Sequence, residues 1–265
     1  MTQDGIRPVE IDTSKPHPAR IYDYLLGGKD NYDVDRQAAD RLAAVAPEVF
    51  IGVRANRAFL QRAVRHVVDS GVRQILDVGT GLPTSPNIHE VAQQLAPDVR
   101  VAYVDNDPIV KAHGDALLSR SGATSIVLAD LRDPRSVVDH PEVRRVIDFG
   151  RPVALFLVAI LHFVRDDEEP ERIVATLRDA LPPGSFLVLS HATADFADRS
   201  DAQAVYNNAT ATMTLRPRDR VERFFEGFDL VEPGVAQVPF WRPETTPPAG
   251  SEQIGFYGGV AVKKA

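Results

Sequence analysis

Three carboxylates and a glycine pair carry the first chemical suggestion in this sequence. Gln74-Ile75-Leu76-Asp77-Val78-Gly79-Thr80-Gly81 reads as a buried strand running into a glycine turn. Ile75, Leu76 and Val78 supply the apolar run of a parallel strand covered on both faces. Asp77 interrupts that run where a packed core would not choose a carboxylate. Gly79 and Gly81 permit backbone angles and close approaches that a Cβ forbids. A second apolar run, residues 99–104, ends in Asp105, 24 positions after Gly81. At about that spacing a doubly wound fold places a carboxylate on a ribose, where it accepts two hydrogen bonds from the vicinal diol and repels a 2′-phosphate. A third run, 125–129, ends in Asp130, which could accept a hydrogen bond from an exocyclic amine such as that of adenine, with Leu131 packed on the ring. The turn departs from the dinucleotide fingerprint: Thr84 stands at the third glycine, and Pro83 and Pro86 crowd the start of a helix, which disfavours a pyrophosphate there.

Other candidates leave alternatives open. Any one strand-end aspartate could simply cap the next turn. The loop 29–33 packs Lys29, Asp30, Asn31, Tyr32 and Asp33 together after Gly27-Gly28, and suits either a solvated connection or a ligand lid. His162 follows the most apolar stretch, 152–161, and has a ring suited to removing a proton at neutral pH. Its alternative is a core or loop histidine satisfied by a backbone bond, and His191 has a weaker claim. Tyr206, Asn207 and Asn208 fall in a polar segment, 195–214, expected to be helical and to face substrate. The histidines and acids show no metal-ligand spacing.

Composition narrows the function classes. The chain has 265 residues, 44% hydrophobic and 25% charged, the balance of an ordinary globular protein. A net charge of −7 provides no basic field for nucleic acid. There is no cysteine, so disulfides and thiolate chemistry are excluded, and a cytoplasmic location is expected. The longest apolar run, nine residues from Val153 to Leu161, is about half a membrane span. A small-molecule partner is expected, and oligomeric state is not encoded legibly.

The elements that must position these groups follow from periodicity. A polar arm, 1–18, precedes helices expected over 19–26, 35–45 and 48–69. Strands are expected over 74–78, 99–105, 125–130, 152–161 and 186–190, with helices over 87–95, 108–119, from 133, and 168–180 between them. After a last helix, 218–226, two strands over 229–235 and 256–262 have no helix between them, which predicts an antiparallel pair. We expect one domain: an N-terminal helical cap over 1–70, and a core over 71–265 with the insertion at 195–214.

Five βα units and a closing hairpin resemble the Rossmann-like class I methyltransferases that use S-adenosylmethionine. Leu76-Asp77-Val78-Gly79-Thr80-Gly81 is similar to their first motif, Asp105 to their acidic second-strand end, and Asp130 to their adenine contact. Residues 19–32, 56–60, 79–84 and 103–108 closely resemble an actinobacterial family of S-adenosylmethionine-dependent methyltransferases, formerly a domain of unknown function. The resemblance implies an α/β fold: a seven-stranded, mostly parallel sheet with an antiparallel last strand, helices on both faces and a helical cap. It implies S-adenosylmethionine as cofactor, held by Gly79, Thr80, Gly81, Asp105, Asn106, Asp130, Leu131 and Ala159. Asp77 would order the turn or reach the ammonium through water, and Arg57, Tyr22 or Lys29 would meet the carboxylate. Two other functions compete: a sensor of the cofactor or its demethylated product, and an NAD-dependent oxidoreductase, which the missing glycine and the antiparallel ending oppose.

Overall fold

A computed structural model describes residues 13–118, 122–207 and 209–264. Residues 1–12 of the expected arm, Ser119 at the end of an expected helix, and Asn208 lie outside the described residues. Three helices, α1 (Pro18–Leu25), α2 (Asp33–Val45) and α3 (Val49–Asp69), precede the sheet. Then follow β1 (Gln74–Val78), α4 (Ile88–Leu95), β2 (Arg100–Asp105), α5 (Pro108–Leu118), β3 (Thr124–Leu128), α6 (Pro134–Val138), α7 (Pro141–Val146) and β4 (Ala154–Val158). The chain continues through α8 (Pro170–Asp179), β5 (Phe186–Ala192), α9 (Ser200–Tyr206), α10 (Arg218–Arg223), β6 (Asp229–Leu230), β7 (Ala236–Gln237) and β8 (Phe256–Val262).

The sheet order is β3-β2-β1-β4-β5-β8-β6, with β7 also paired to β8. Strands β1 to β5 are parallel, and β8 runs against β5, β6 and β7. This is the expected Rossmann-like layout with one reversed strand. Successive strand residues enter opposite apolar layers, as the pleat requires. Ile75, Val101 and Phe156 join α3, α4 and Trp241 on one face. Leu76, Ala102 and Leu155 join α6, α7, α8 and α10 on the other.

Several expected boundaries moved, each for a local reason. The sheet has eight strands rather than seven, because the strand expected over 229–235 is cut short to β6 and a second short strand, β7, forms just beyond it. Pro233 has no N–H to give a ladder, and Gly234, at φ +82°, closes a turn onto the Val231 carbonyl at 2.8 Å. β4 stops at Val158 rather than 161, because Ala159 takes φ +55° and turns the chain. The helix expected from 133 is cut in two before Pro141. Among the described residues of the segment 195–214, only α9 is α-helical.

The N-terminal helices are held by buried polar contacts as well as by packing. Ile21, Leu25, Ala38, Ala39, Leu42 and Val53 form their own apolar cluster with Tyr206. At its edge the Arg20 guanidinium meets Asp35 at 3.2 Å, both side chains nearly inaccessible. Asp35 also accepts from His17 N at 2.8 Å and Tyr32 N at 2.9 Å, tying the starts of α1 and α2 to one carboxylate. Removing one partner of such a pair strands the other without compensation. Asp35→Asn is therefore expected to cost about 3 kcal/mol of stability, measured as a fall in the urea midpoint.

Candidate active site

The turn after β1 is built by constraints from three strands. The amides of Gly79 and Thr80 donate to the Val104 carbonyl at 2.8 and 3.2 Å. Gly79 sits at φ +77°, and a Cβ there would lie 2.4 Å from the Ile160 side chain. Glycine is thus required both by conformation and by space. Gly81, at φ +67°, faces differently: its Cβ would meet only Ala19, at 3.9 Å. That open face borders a cavity of about 440 Å³ across the carboxyl ends of the strands, within the size range of small-molecule sites.

Asp105 fixes the floor of this cavity. Its two carboxylate oxygens accept from the Gly81 amide at 2.8 Å and the Asp107 amide at 2.9 Å. Burial raises its pKa to about 6, against the pull of those amides. Asp107 caps α5 in turn, accepting from Ile109 N at 2.8 Å. Asp130 and Asn106 meet at 3.3 Å on the neighbouring rim. Arg132 pairs with Asp130 at 3.2 Å and with Glu168 at 2.6 Å, so the Asp130 carboxylate already carries a guanidinium partner. Leu131 is buried beside it.

The N-terminal segment covers the cavity. His17 Nδ1 accepts from Ala19 N at 3.3 Å and so caps α1, while also lying 3.2 Å from Asp107. The Tyr22 hydroxyl donates to the Val53 carbonyl at 3.1 Å and accepts from Asn56 Nδ2 at 3.0 Å. Asn56 Oδ1 is buried with no partner. One nitrogen of Arg57 reaches the Thr84 and Pro86 carbonyls, the latter at 2.8 Å, and its Nε is buried and unpartnered.

Of the residues expected at a site, Tyr22, Arg57, Gly79, Thr80, Gly81, Asp105, Asn106, Asp130, Leu131, Ala159, His162 and Tyr206 line this one cavity. Lys29, Asn207 and Asp77 do not line it. Lys29 and Asn207 are exposed. The loop holding Lys29 folds onto α1, where Asp23 accepts from Asp30 N at 3.0 Å and Asn31 Nδ2 at 2.8 Å. Its glycine pair serves that closure, since a Cβ on Gly28 would overlap the Asp23 carboxylate at 2.0 Å. Asp77 lies beneath the turn, where burial raises its pKa to about 7.

His162 lines the cavity, but the lone pair on its Nδ1 is occupied. The Ala192 amide donates to Nδ1 at 3.3 Å. Burial, with His191 and Arg216 nearby, holds the ring neutral, so its proton sits on Nε2 and His162 is a hydrogen-bond donor. His191 is satisfied on both sides: Nδ1 lies 2.7 Å from the Ala192 carbonyl, and Nε2 lies 3.0 Å from Arg216. The backbone-bonded histidine weighed as the alternative at position 162 is the arrangement observed.

Sequence reasoning did not single out Asn56, Phe163, Met213 or Phe256, which also line the cavity. Asn56 had a legible signal: it is a polar residue in the core-facing stripe of α3, between Val53 and Leu60. Phe163, Met213 and Phe256 had none, because aromatic and sulfur side chains are equally ordinary in a core. Among the described residues no group of three or more histidines and acids could hold a metal ion, and no helix is long and apolar enough to cross a membrane.

Comparisons with known proteins agree with this geometry. A family model described as S-adenosyl methyltransferase matches residues 4–264. Among solved structures, a DUF574 family protein of Streptomyces avermitilis is 46% identical, with a TM-score of 0.92 over 96% of this chain and 100% of that one. A candidate methyltransferase of Thermobifida fusca is 42% identical, with a TM-score of 0.89 over 96% of this chain and 97% of that one. No curated protein matches the chain.

Asp77 gives a pH signature. Its folded pKa of about 7 lies above the ordinary 3.8, so the folded chain holds a proton that the unfolded chain releases. Stability contributed at this site therefore falls as pH rises from about 4 to about 7. Asp77→Asn is expected to match the parent near pH 4 and to exceed it by about 1–4 kcal/mol above pH 7, read from urea midpoints across that range.

Proposed function

The chain belongs to the S-adenosyl methyltransferase family, with S-adenosylmethionine as its cofactor, and on that premise we propose that it methylates a small molecule held in the cavity over β1 and β4. The observation that carries this reading is the Asp105 carboxylate: it is buried at the cavity floor and holds the turn whose Gly81 presents an open face. The residues fit the cofactor on chemical grounds. Ionised, Asp105 has lone pairs beyond the two its amide donors use, and these can accept ribose hydroxyls. Asp130 with Asn106 offers an acceptor and a donor to an adenine edge, and Leu131 an apolar face. Arg57 Nε is a buried donor without a partner beside the cavity, suited to the carboxylate of the amino-acid end. The exposed Lys29 is left out of this set.

When bound, the cofactor supplies an electrophilic methyl group on a sulfonium. The protein's part is to orient it and exclude water, since alignment of the reacting atoms supplies much of the rate. His17 to Arg20 with Tyr22 and Asp23 line the cavity from one cover, and Tyr206, Thr210, Ala211 and Met213 from another; the Thr210 amide joins the two by donating to the Pro16 carbonyl at 3.0 Å. A cavity of about 440 Å³ and a net charge of −7 favour a small molecule over a nucleic acid.

Calorimetric titration of ligand-free protein is the test. S-adenosylmethionine and its demethylated product are expected to bind, and NAD is not; tight NAD binding would overturn the reading. Asp105→Ala is expected to weaken cofactor binding by about 1–3 kcal/mol, and unchanged affinity would remove Asp105 from the site.

A further inference from the structure

The cavity has two chemically different halves. Over β2 and β3 it presents carboxylates: Asp105, Asp107 and Asp130. Over β4, β5 and β8 it presents rings. His162 and Phe163 centroids lie 4.4 Å apart, Phe163 and Tyr206 5.5 Å, and His162 and Phe256 5.9 Å, with Met213 completing the wall. Among the described residues, no carboxylate, lysine or arginine belongs to this ring wall. Its polar atoms are few and unspent. His162 donates through Nε2, as its Nδ1 bond to the Ala192 amide requires. The Tyr206 hydroxyl, buried and next to Tyr22, makes no hydrogen bond among the described residues. Asn56, 1% exposed, leaves its Oδ1 without a partner.

The rings meet tilted or edge-on, at 53° to 75°, and such a lining accepts a further, flat aromatic ring against its edges and faces. The ring wall itself brings no charged side chain to an occupant, which disfavours a charged group against it; Arg20, Asp23 and Arg57 belong to the rest of the cavity lining. An unpaired donor and an unpaired buried acceptor penalise an occupant that lacks their complements. The chamber also offers no base. The His162 lone pair is bound, both tyrosines hold their protons because burial raises their pKa values, and Asp23, outside the ring wall, takes the Asp30 amide and the Asn31 side chain on its Oδ2. An alcohol would have to lose its proton unaided, whereas a nitrogen brings its own lone pair.

The geometry points to a flat, uncharged nitrogen heterocycle carrying a carbonyl and an N–H as the methyl acceptor, its carbonyl on His162 Nε2–H and its N–H on Asn56 Oδ1. This rests on the methyltransferase reading. A ring-nitrogen lone pair forms the bond to the methyl carbon as the carbon–sulfur pair departs with sulfur. Positive charge passes from sulfur to nitrogen, and a nitrogen-bound proton then leaves to water.

The test begins by saturating the protein with S-adenosylhomocysteine. Failure at that step sinks the cofactor reading and is distinguishable from failure of the chamber. Three probes are then titrated at about pH 8: 4-quinazolinone, naphthalene and 2-naphthoate. The heterocycle is expected to bind about tenfold or more tighter than either bicycle, the ratio for about one hydrogen-bonded pair. Tighter binding of 2-naphthoate or naphthalene overturns the assignment, as does equal binding of all three. His162→Phe is expected to erase the preference for the heterocycle over naphthalene, and His162→Gln, which restores an N–H, to recover part of it. A preference that survives His162→Phe overturns the role of the ring. Should either variant fail to fold, the ranking on the parent protein still decides. With S-adenosylmethionine supplied, 4-quinazolinone is expected to gain a methyl group on nitrogen while 2-naphthol does not gain one on oxygen. Methylation of the naphthol alone, or of neither, overturns the nitrogen assignment.

Discussion

Burying a carboxylate at the end of β2 obliges the chain to surround it with donors, and most of the site's geometry follows from how that is done. Asp105 takes one amide from the β1 turn and one from the start of α5. Hydrogen bonds to an ionised acceptor are about twice as strong as neutral ones, so the two segments are fixed to one point. The turn is fixed again from below, because Gly79 and Thr80 share the Val104 carbonyl. With Ile160 packed against Gly79, the ends of β1, β2 and β4 become one rigid floor.

The same logic recurs where the walls attach to that floor. Arg216 is almost fully buried, and its guanidinium is spent on the Leu161 and Val164 carbonyls, His191 and Asp166. It therefore pins the short loop after β4 that carries His162. His191, with its pKa pushed down to about 3, acts as a neutral acceptor for Arg216. Its ring belongs to the scaffold of the site and does not line the cavity. On the opposite side, Asp35 gathers His17, Arg20 and Tyr32, and Tyr22 is tied to α3 through Asn56 and Val53. Each wall is held by polar groups satisfied within the protein, so the few that are not satisfied stand out.

Strand order explains why the two halves of the cavity differ. β1 and β4 are adjacent at the centre, with β2 and β3 to one side and β5 and β8 to the other. Acidic strand ends fall on the first side. The second side takes its lining from segments without a repeating motif: the loop after β4, the stretch beyond α9, and the first residue of the reversed strand β8. Under the proposed function, the acidic half would serve the cofactor and the ring-lined half the methyl acceptor, a division of labour suited to a fold that serves many reactions.

Much of the acidic half of the cavity was legible because its signals are local. An apolar run, a glycine that must turn, and an acid at the strand end are each written within eight residues, as in 74–81. Backbone sterics and the pleat act over that same range. The sequence by itself determined the parallel α/β sheet, the reversed strand, the family, and the three strand-end aspartates. Tertiary structure decided the rest. It put Asp77 under the turn, turned the glycine pair at 27–28 into a closure on Asp23, left Lys29 and Asn207 in solvent, and cut the strand short ahead of Pro233. It also made His162 a donor, through an amide 30 residues away. For the side chains among these cases the physical reason is common: whether a group is reactive, satisfied or exposed depends on what meets its lone pairs and protons, and for His162 that partner arrives from a distant part of the chain.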